Sequence, residues 1–89
     1  MIALLLRFRQ DARQSFEDLI NASIGHLAKA YFVLASVSRA AGDWKQAREA
    51  VARAVTLWRT VNDASVLALH RPAKEEAEAM LREMAGSSP

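Results

Sequence analysis

The spacing of apolar residues predicts helices along most of the chain. Over residues 2–20, apolar side chains recur every three or four positions, and charged residues fill the other sides. The residues that keep this spacing are Leu5, Phe8, Ala12, Phe16 and Leu19. Turn-favouring residues at 21–25 interrupt the pattern and indicate either a loop or a mild kink. A second helix over 24–41 is apolar enough to be buried on more than one side. Its main stripe is Leu27, Tyr31, Leu34, Ala35 and Ser38.

The second half of the chain predicts two further helices. Gly42 suits the left-handed residue that ends a helix, and Asp43 with Gln46 three residues later is typical of a capping box. The helix over 44–60 has an apolar side formed by Ala47, Ala50, Val51, Ala54, Val55, Trp58 and Val61. Residues 64–69 are compatible with a short helix or an extended connection. Pro72 is predicted to open the last helix, whose apolar face is Ala77, Met80, Leu81 and Met84.

Composition limits the chain to one small helical domain. It has 89 residues, of which 52% are hydrophobic, and 12 basic against 10 acidic side chains leave a net charge of +2. This small excess gives little reason to expect nucleic acid. The absence of cysteine excludes disulfides and thiolate metal sites and fits a reducing compartment. The apolar run at 2–6 is too short for a signal peptide or a membrane span, so the expected location is cytoplasmic, without membrane attachment.

The region around the Gly42-Asp43 break resembles a tetratricopeptide repeat (TPR). That motif has a large residue, a leucine three positions on and a small residue next, then a turn and a second helix with small residues at its contact. The matching residues are Tyr31, Leu34, Ala35, Ala47, Val51 and Ala54. The resemblance implies that Ala35 and Ala47 lie where the two helices approach most closely. Ser38, where a larger residue is common, and Arg59, near the usual closing proline, depart from the motif.

The resemblance extends more weakly to the rest of the chain. Ala12, Phe16 and Leu19 repeat the spacing of Ala47, Val51 and Ala54, offset by 35 residues. The expected fold is therefore all-α, with antiparallel helical hairpins that form a fragment of a TPR-like right-handed superhelix of about one and a half repeats. Residues 1–89 would form a single domain. It would comprise a degenerate half-repeat helix at 1–21, a TPR-like hairpin at 24–61, a capping segment at 64–85 and a tail at 86–89.

Membership of this family would imply a protein–protein interaction module or scaffold without catalysis or cofactor. In TPR proteins the ligand usually meets the inner face of the first helix of each hairpin. That face would carry Lys29, Phe32, Ser36 and Arg39, which could bind an acidic peptide with Phe32 as an apolar anchor. Phe32 could equally be plain core. The lysine–asparagine pair that clamps chaperone C-termini is missing, because Phe32 and Ser36 stand in its place.

No arrangement of residues predicts an enzyme. His26 and His70 have no carboxylate or second histidine at helical spacing, so neither indicates a metal site. The glycines are too far apart for a phosphate-binding loop. An alternative function is a small helical nucleic-acid-binding protein that uses surface arginines, since Arg7, Arg9 and Arg13 lie around the first helix.

Self-association, most simply as a homodimer, is also expected. The start of the first helix is apolar on more than one side, and a lone small domain cannot easily bury such a surface. The residues concerned are Ile2, Leu4, Leu5, Leu6 and Phe8. The competing arrangement packs them internally against Met80, Leu81 and Met84 of the last helix.

Overall fold

A computed structural model describes the backbone of residues 2–86 and the side chains of residues 10–86. Within this part the chain forms three helices and no strand, which confirms the all-α prediction. The helices are α1 (Ile2–Ala40), α2 (Trp44–Thr60) and α3 (Ala64–Gly86). The side chains of residues 2–9, on which the self-association argument depended, lie outside the described part.

α1 is continuous through residues 21–25, so the loop that the sequence left open there is not formed. The Asn21 side-chain amide donates to the Glu17 carbonyl oxygen at 3.1 Å, a bond within the helix. Gly25 is buried where α3 crosses closely. A Cβ at this position would lie 2.9 Å from Val66 Cγ1 and 3.0 Å from His70 Nε2. The glycine therefore serves a close helix contact rather than a turn.

The reversal between α1 and α2 follows the prediction. Gly42 has a φ of +83°, the left-handed conformation that glycine adopts without strain. The Asp43 N–H donates to the Ser38 carbonyl at 2.9 Å and the Gly42 N–H to the Arg39 carbonyl at 3.1 Å, the pair of bonds of a Schellman motif. Asp43 then caps α2 by accepting from the Gln46 N–H at 3.1 Å. Only this half of a capping box forms, because Gln46 Oε1 instead accepts from Ser38 Oγ at 2.9 Å.

The start of α3 corrects the prediction. The helix begins at Ala64 and contains Pro72 in its interior, so Pro72 does not open it. Asp63 is the signal that decides the boundary, since its Oδ1 accepts from the N–H groups of Ser65 at 2.9 Å and Val66 at 3.3 Å. A proline inside a helix deprives the carbonyl four residues earlier of its donor. Pro72 and Ala68 are both exposed, so water can satisfy that carbonyl.

The core lies where α2 packs between the C-terminal half of α1 and α3. Every residue predicted for the apolar side of α2 is buried, and Ala35 and Ala47 are fully enclosed, as expected for the closest approach. Ser38 is also buried, and its hydroxyl is satisfied by Gln46. The buried cluster comprises Ala28, Ala35, Ala47, Ala50, Val51, Ala54, Val55, Trp58, Ala73, Ala77 and Met84.

The two shorter helices cover only part of α1. α2 runs antiparallel to α1 and α3 runs parallel to it, since Val66 lies beside Gly25 at one end and Glu83 pairs with Arg39 at the other. The Cα atoms span 64 × 17 × 16 Å along the principal axes, because the N-terminal half of α1 projects beyond the packed region. All residues from 10 to 20 are exposed. The projection leaves a long helical surface that no other described residue covers at this level.

Candidate partner-binding surface

The four predicted binding residues lie on the side of α1 that turns towards α3. Lys29 and Ser36 are exposed, whereas Phe32 and Arg39 are half-buried. The Phe32 ring packs against Trp58 with 6.4 Å between centroids. Ser36 Oγ donates to the Phe32 carbonyl oxygen at 3.1 Å. The structure therefore uses Phe32 within the fold and leaves Lys29 and Ser36 open to solvent.

Arg39 is held at the far end of the same face. Its Nη2 lies 3.0 Å from Glu83 Oε2, and its guanidinium carbon lies 5.7 Å from the centre of the Trp44 ring. These contacts tie the end of α1 to α3 and to the start of α2. Arg39, which was predicted from the sequence to bind an acidic ligand, is thus already paired with the Glu83 carboxylate.

Apolar side chains are exposed along a different face of α1. Apart from Leu69 on α3, the large hydrophobic residues that are exposed within residues 10–86 all belong to this helix. They are Phe16, Leu19, Ile20, Leu27, Val33, Leu34 and Val37. Leu27 and Leu34 were expected on the buried stripe, but they are 49% and 39% exposed. Successive helix residues are rotated by about 100°, so Ala28 and Ala35, one position on, take the packed face instead.

Seven exposed residues form one continuous line, here called the α1 stripe. They are Ala12, Phe16, Leu19, Ser23, Leu27, Ala30 and Leu34. The intervals between them are 4, 3, 4, 4, 3 and 4, which is an eleven-residue repeat. Eleven residues complete about three helical turns, so such positions stay on one side of a nearly straight helix. From the sequence, Ala12, Phe16 and Leu19 were grouped together, whereas Leu27 and Leu34 were assigned to a buried stripe. The same spacing continues to Leu34 in the sequence, but only the structure shows that these residues are exposed.

A groove between α1 and α2 borders the stripe. It is lined by Tyr31, Leu34, Gln46, Glu49, Ala50, Ala52, Arg53 and Thr56. Arg53 Nη1 donates to the Tyr31 hydroxyl at 3.4 Å, and the guanidinium lies 5.5 Å from the Tyr31 ring centre. This hydrogen bond, followed by the charge of Tyr31 and then that of Glu49, raises the pKa of Arg53. The groove wall carries the Glu49 carboxylate and the Arg53 guanidinium, which are four residues apart on α2.

Two histidines mark the place where α3 first covers α1. The rings of His26 and His70 meet edge to face with 5.4 Å between centroids, and His70 also lies 6.1 Å from the Trp58 ring. Burial lowers the pKa of His70, and the nearby positive charges of His26 and Lys29 lower it further. This arrangement favours a neutral, packed His70. Within the described residues, no group of three His, Asp or Glu side chains could hold a metal ion.

Two of the described arginines are paired with acidic residues, and Arg53 donates a hydrogen bond to Tyr31. Arg13 Nε lies 3.7 Å from Glu17 Oε1, and Arg39 pairs with Glu83. Arg7 and Arg9, the other two arginines considered for an anionic partner, have side chains outside the described part. The described arginines on α1 therefore carry their own counter-charges.

We find no family model, curated protein or solved structure that matches this chain. None of the helices in residues 2–86 is both long and apolar enough to cross a membrane.

Proposed function

We propose that this chain is a protein-interaction module without catalysis of its own, and that it binds a helical partner along the α1 stripe. The observation that carries the proposal is the unbroken exposure of the stripe from Ala12 to Leu34 on one continuous helix. Contiguous apolar surfaces of this kind usually mark interfaces in proteins. A partner helix with apolar residues at matching intervals is the shape that such a line accepts.

The stripe holds enough apolar surface to support binding. Phe16 is 63% exposed and Leu19 is 64% exposed. Burying a side chain of this size completely is worth about 1.5–3 kcal/mol. Two such residues together with Leu27 and Leu34 therefore offer several kcal/mol to a partner, before the entropy cost of association is subtracted.

The packed half of the molecule serves as the rigid base of this surface, and we propose that it is a TPR-like hairpin. Three observations support that reading: the antiparallel α1–α2 pair, the enclosed alanines Ala35 and Ala47, and a third helix parallel to the first. The predicted inner face, represented by the exposed Lys29 and Ser36, remains a second docking prediction. An acidic peptide is its expected ligand.

Capture of partners from the native cell, followed by mass spectrometry, tests the proposal. The chain would be immobilised as wild type, as the double variant Phe16→Asp/Leu19→Asp, and as Leu69→Asp. Leu69 is a matched control because it is 72% exposed but lies on α3, away from the stripe. We expect specific partners on wild type and on the control, and their loss from the double variant. Identical partners on all three would contradict the proposal.

Two further experiments separate the remaining interpretations. Lys29→Glu/Ser36→Glu should leave stripe-dependent partners in place, and loss of those partners here would move the binding site to the predicted inner face. A heparin column tests the nucleic-acid alternative, because phosphate-driven binding weakens steeply with salt. We expect only weak retention, since the net charge of the chain is only +2. Tight retention that collapses with salt would favour nucleic acid.

A further inference from the structure

We propose that the partner of the α1 stripe is a second copy of this chain, in antiparallel orientation, with a two-fold axis at Ser23. The inference rests on the proposed function and makes its partner specific. Three features of the described residues support it: the symmetry of the stripe, the sizes of its side chains, and the charges on either side of the α1–α2 groove.

The intervals of the stripe read the same in both directions from Ser23. Two antiparallel copies can therefore bring every stripe residue opposite another stripe residue. Leu19 then faces Leu27 of the second copy, Phe16 faces Ala30, and Ala12 faces Leu34, while Ser23 meets its own copy on the axis. A parallel pair would instead place each residue opposite itself, Phe16 against Phe16 and Ala12 against Ala12.

Side-chain sizes favour the antiparallel pair. In the layers away from the axis, the large Phe16 meets the small Ala30 and the large Leu34 meets the small Ala12. Alternation of large and small residues across facing positions is what allows two helices to interdigitate at native density. Helix axes usually approach to 8–10 Å, and a serine at the crossing point permits the closer end of that range. The parallel pair would crowd the Phe16 layer and leave the Ala12 layer empty.

Charges favour the same register. The contacts Tyr31–Arg53 and Ser38–Gln46 set the level of α2 along α1. A second α1 that faces the stripe antiparallel runs in the same direction as α2 and lies beside the groove. Its Arg13 then comes level with residue 51, midway between Glu49 and Arg53, and its Glu17 lies about half a helical turn from Arg53. Arg13 is balanced between an opposite and a like charge, so the Glu17–Arg53 pair is the contact that favours this register.

Four exposed groups would thus form a mixed cluster at each end of the dimer. In the single chain, the Arg13 side chain is 82% exposed, and its Nε lies 3.7 Å from Glu17 Oε1. The dimer places that arginine between Glu49 and Arg53 and places Glu17 beside Arg53. Exposed ion pairs contribute little affinity, so the apolar stripe supplies it and the Glu17–Arg53 pair helps to select the register.

Sedimentation equilibrium across a concentration series provides the first test. We expect the wild-type mass to approach twice 9.8 kDa at high concentration. Phe16→Asp/Leu19→Asp should remain monomeric with unchanged helix content by circular dichroism, because both side chains are exposed in the single chain. Leu69→Asp should dimerise like wild type. A monomer at every concentration, or a dimer that the double variant leaves intact, would overturn the inference.

Disulfide trapping tests the orientation. Because the sequence has no cysteine, only the introduced cysteines can cross-link. A disulfide requires Cα atoms within about 7 Å. Ser23→Cys should cross-link to itself under mild oxidation, whereas Ala30→Cys alone should not. A mixture of Ala30→Cys and Phe16→Cys chains should cross-link to each other. Self-linking of Ala30→Cys would show a parallel pair and overturn the proposed orientation.

A charge exchange tests the register. Glu17→Arg should weaken the dimer severalfold by facing Arg53 with a like charge, and adding Arg53→Glu should restore it. Failure of the second change to rescue would contradict this alignment. The inference can fail while the proposed function stands: a monomeric chain whose stripe variants still lose another protein in the capture experiment would show that outcome. A monomeric chain whose captured proteins do not depend on the stripe would reject both.

Discussion

Two residue triplets with the same spacing along the chain differ in burial: one is buried and the other is exposed. Ala47, Val51 and Ala54 on α2 are fully buried, whereas Ala12, Phe16 and Leu19 on α1 are all exposed. The exposed triplet contains the larger side chains, so hydrophobicity does not explain the difference. Burial is decided by whether another helix reaches the same level of the fold. The comparison shows that the N-terminal half of α1 is built like a packing helix but lacks a partner within the described residues.

The difference originates at two short segments rich in turn-favouring residues. At Gly42-Asp43 the left-handed glycine and the Schellman bonds reverse the chain, so that α2 folds back on the C-terminal half of α1. At residues 21–25 the helix continues, and no helix of residues 2–86 returns along its N-terminal half. Gly25 is used there for contact with α3. The same residue types therefore produce a turn in one place and a helix contact in the other.

The largest expected effect compares an aspartate placed in each triplet. Val51→Asp should destabilise the fold by at least about 3 kcal/mol, because a buried charge would have no partner. Phe16→Asp should change the free energy of unfolding of the dilute protein by less than about 0.5 kcal/mol, since its site is exposed. Urea denaturation of both variants gives the two values. Equal losses would mean that Phe16 is packed within the single chain.

The next comparison adds volume instead of charge. Ala47→Leu should cost about 1–3 kcal/mol, because Ala47 and Ala35 are enclosed and the α1–α2 contact has no room for a larger side chain. Ala12→Leu should be neutral in the dilute protein. Comparing the urea unfolding midpoints of the two variants shows which half of α1 is packed in the single chain. A neutral Ala47→Leu would indicate a looser bundle than the TPR-like hairpin.

The reversal itself can be weakened at Gly42. Gly42→Val should cost about 1 kcal/mol or more, because a β-branched residue is strained at a φ of +83°. Gly42→Asn should cost less, since asparagine tolerates the left-handed region better than other side chains. Thermal melting followed by circular dichroism measures both. An unchanged melting temperature for Gly42→Val would argue against the left-handed conformation of this residue in solution.

The smallest expected effect is a pH dependence at the boundary between the two halves. Burial, with the charges of His26 and Lys29, lowers the pKa of His70 in the folded protein. Below about pH 6.5, the ordinary histidine value, the unfolded chain binds a proton that the folded chain resists. The stability contributed by neutral His70 is therefore present above that pH and is lost as the pH falls through the lowered pKa.

Substitution identifies the group responsible. His70→Gln should flatten the fall in melting temperature below pH 6.5, and His26→Gln should reduce it by removing a neighbouring positive charge. Trp58, the other aromatic group against His70, does not titrate. A melting temperature that falls as steeply in His70→Gln as in wild type would assign the effect to other groups.

Much of the packed half could be predicted because its signals are local. The helix over 44–60, its buried face, the cap at Asp43 and the left-handed Gly42 all follow from residues within a few positions of one another. The start of α3 was misread because a proline is a common first residue of a helix, whereas the capping Asp63 nine positions earlier carries the decisive bonds. The predicted binding residues Lys29, Phe32, Ser36 and Arg39 could be placed on one helix, but not their contacts with Trp58 and Glu83.

The sequence by itself determined that this chain is helical, where it reverses at Gly42, and which residues of α2 face inwards. Periodicity and capping act over one or two turns, and the chain carries them without reference to its neighbours. Only the tertiary structure decided that residues 21–25 continue a helix, that Leu27 and Leu34 are exposed, and that the line from Ala12 to Leu34 is uncovered. Exposure depends on which helices come together and how far each extends. A periodic pattern states that a face is apolar, but the arrangement of the other helices determines whether that face is core or interface.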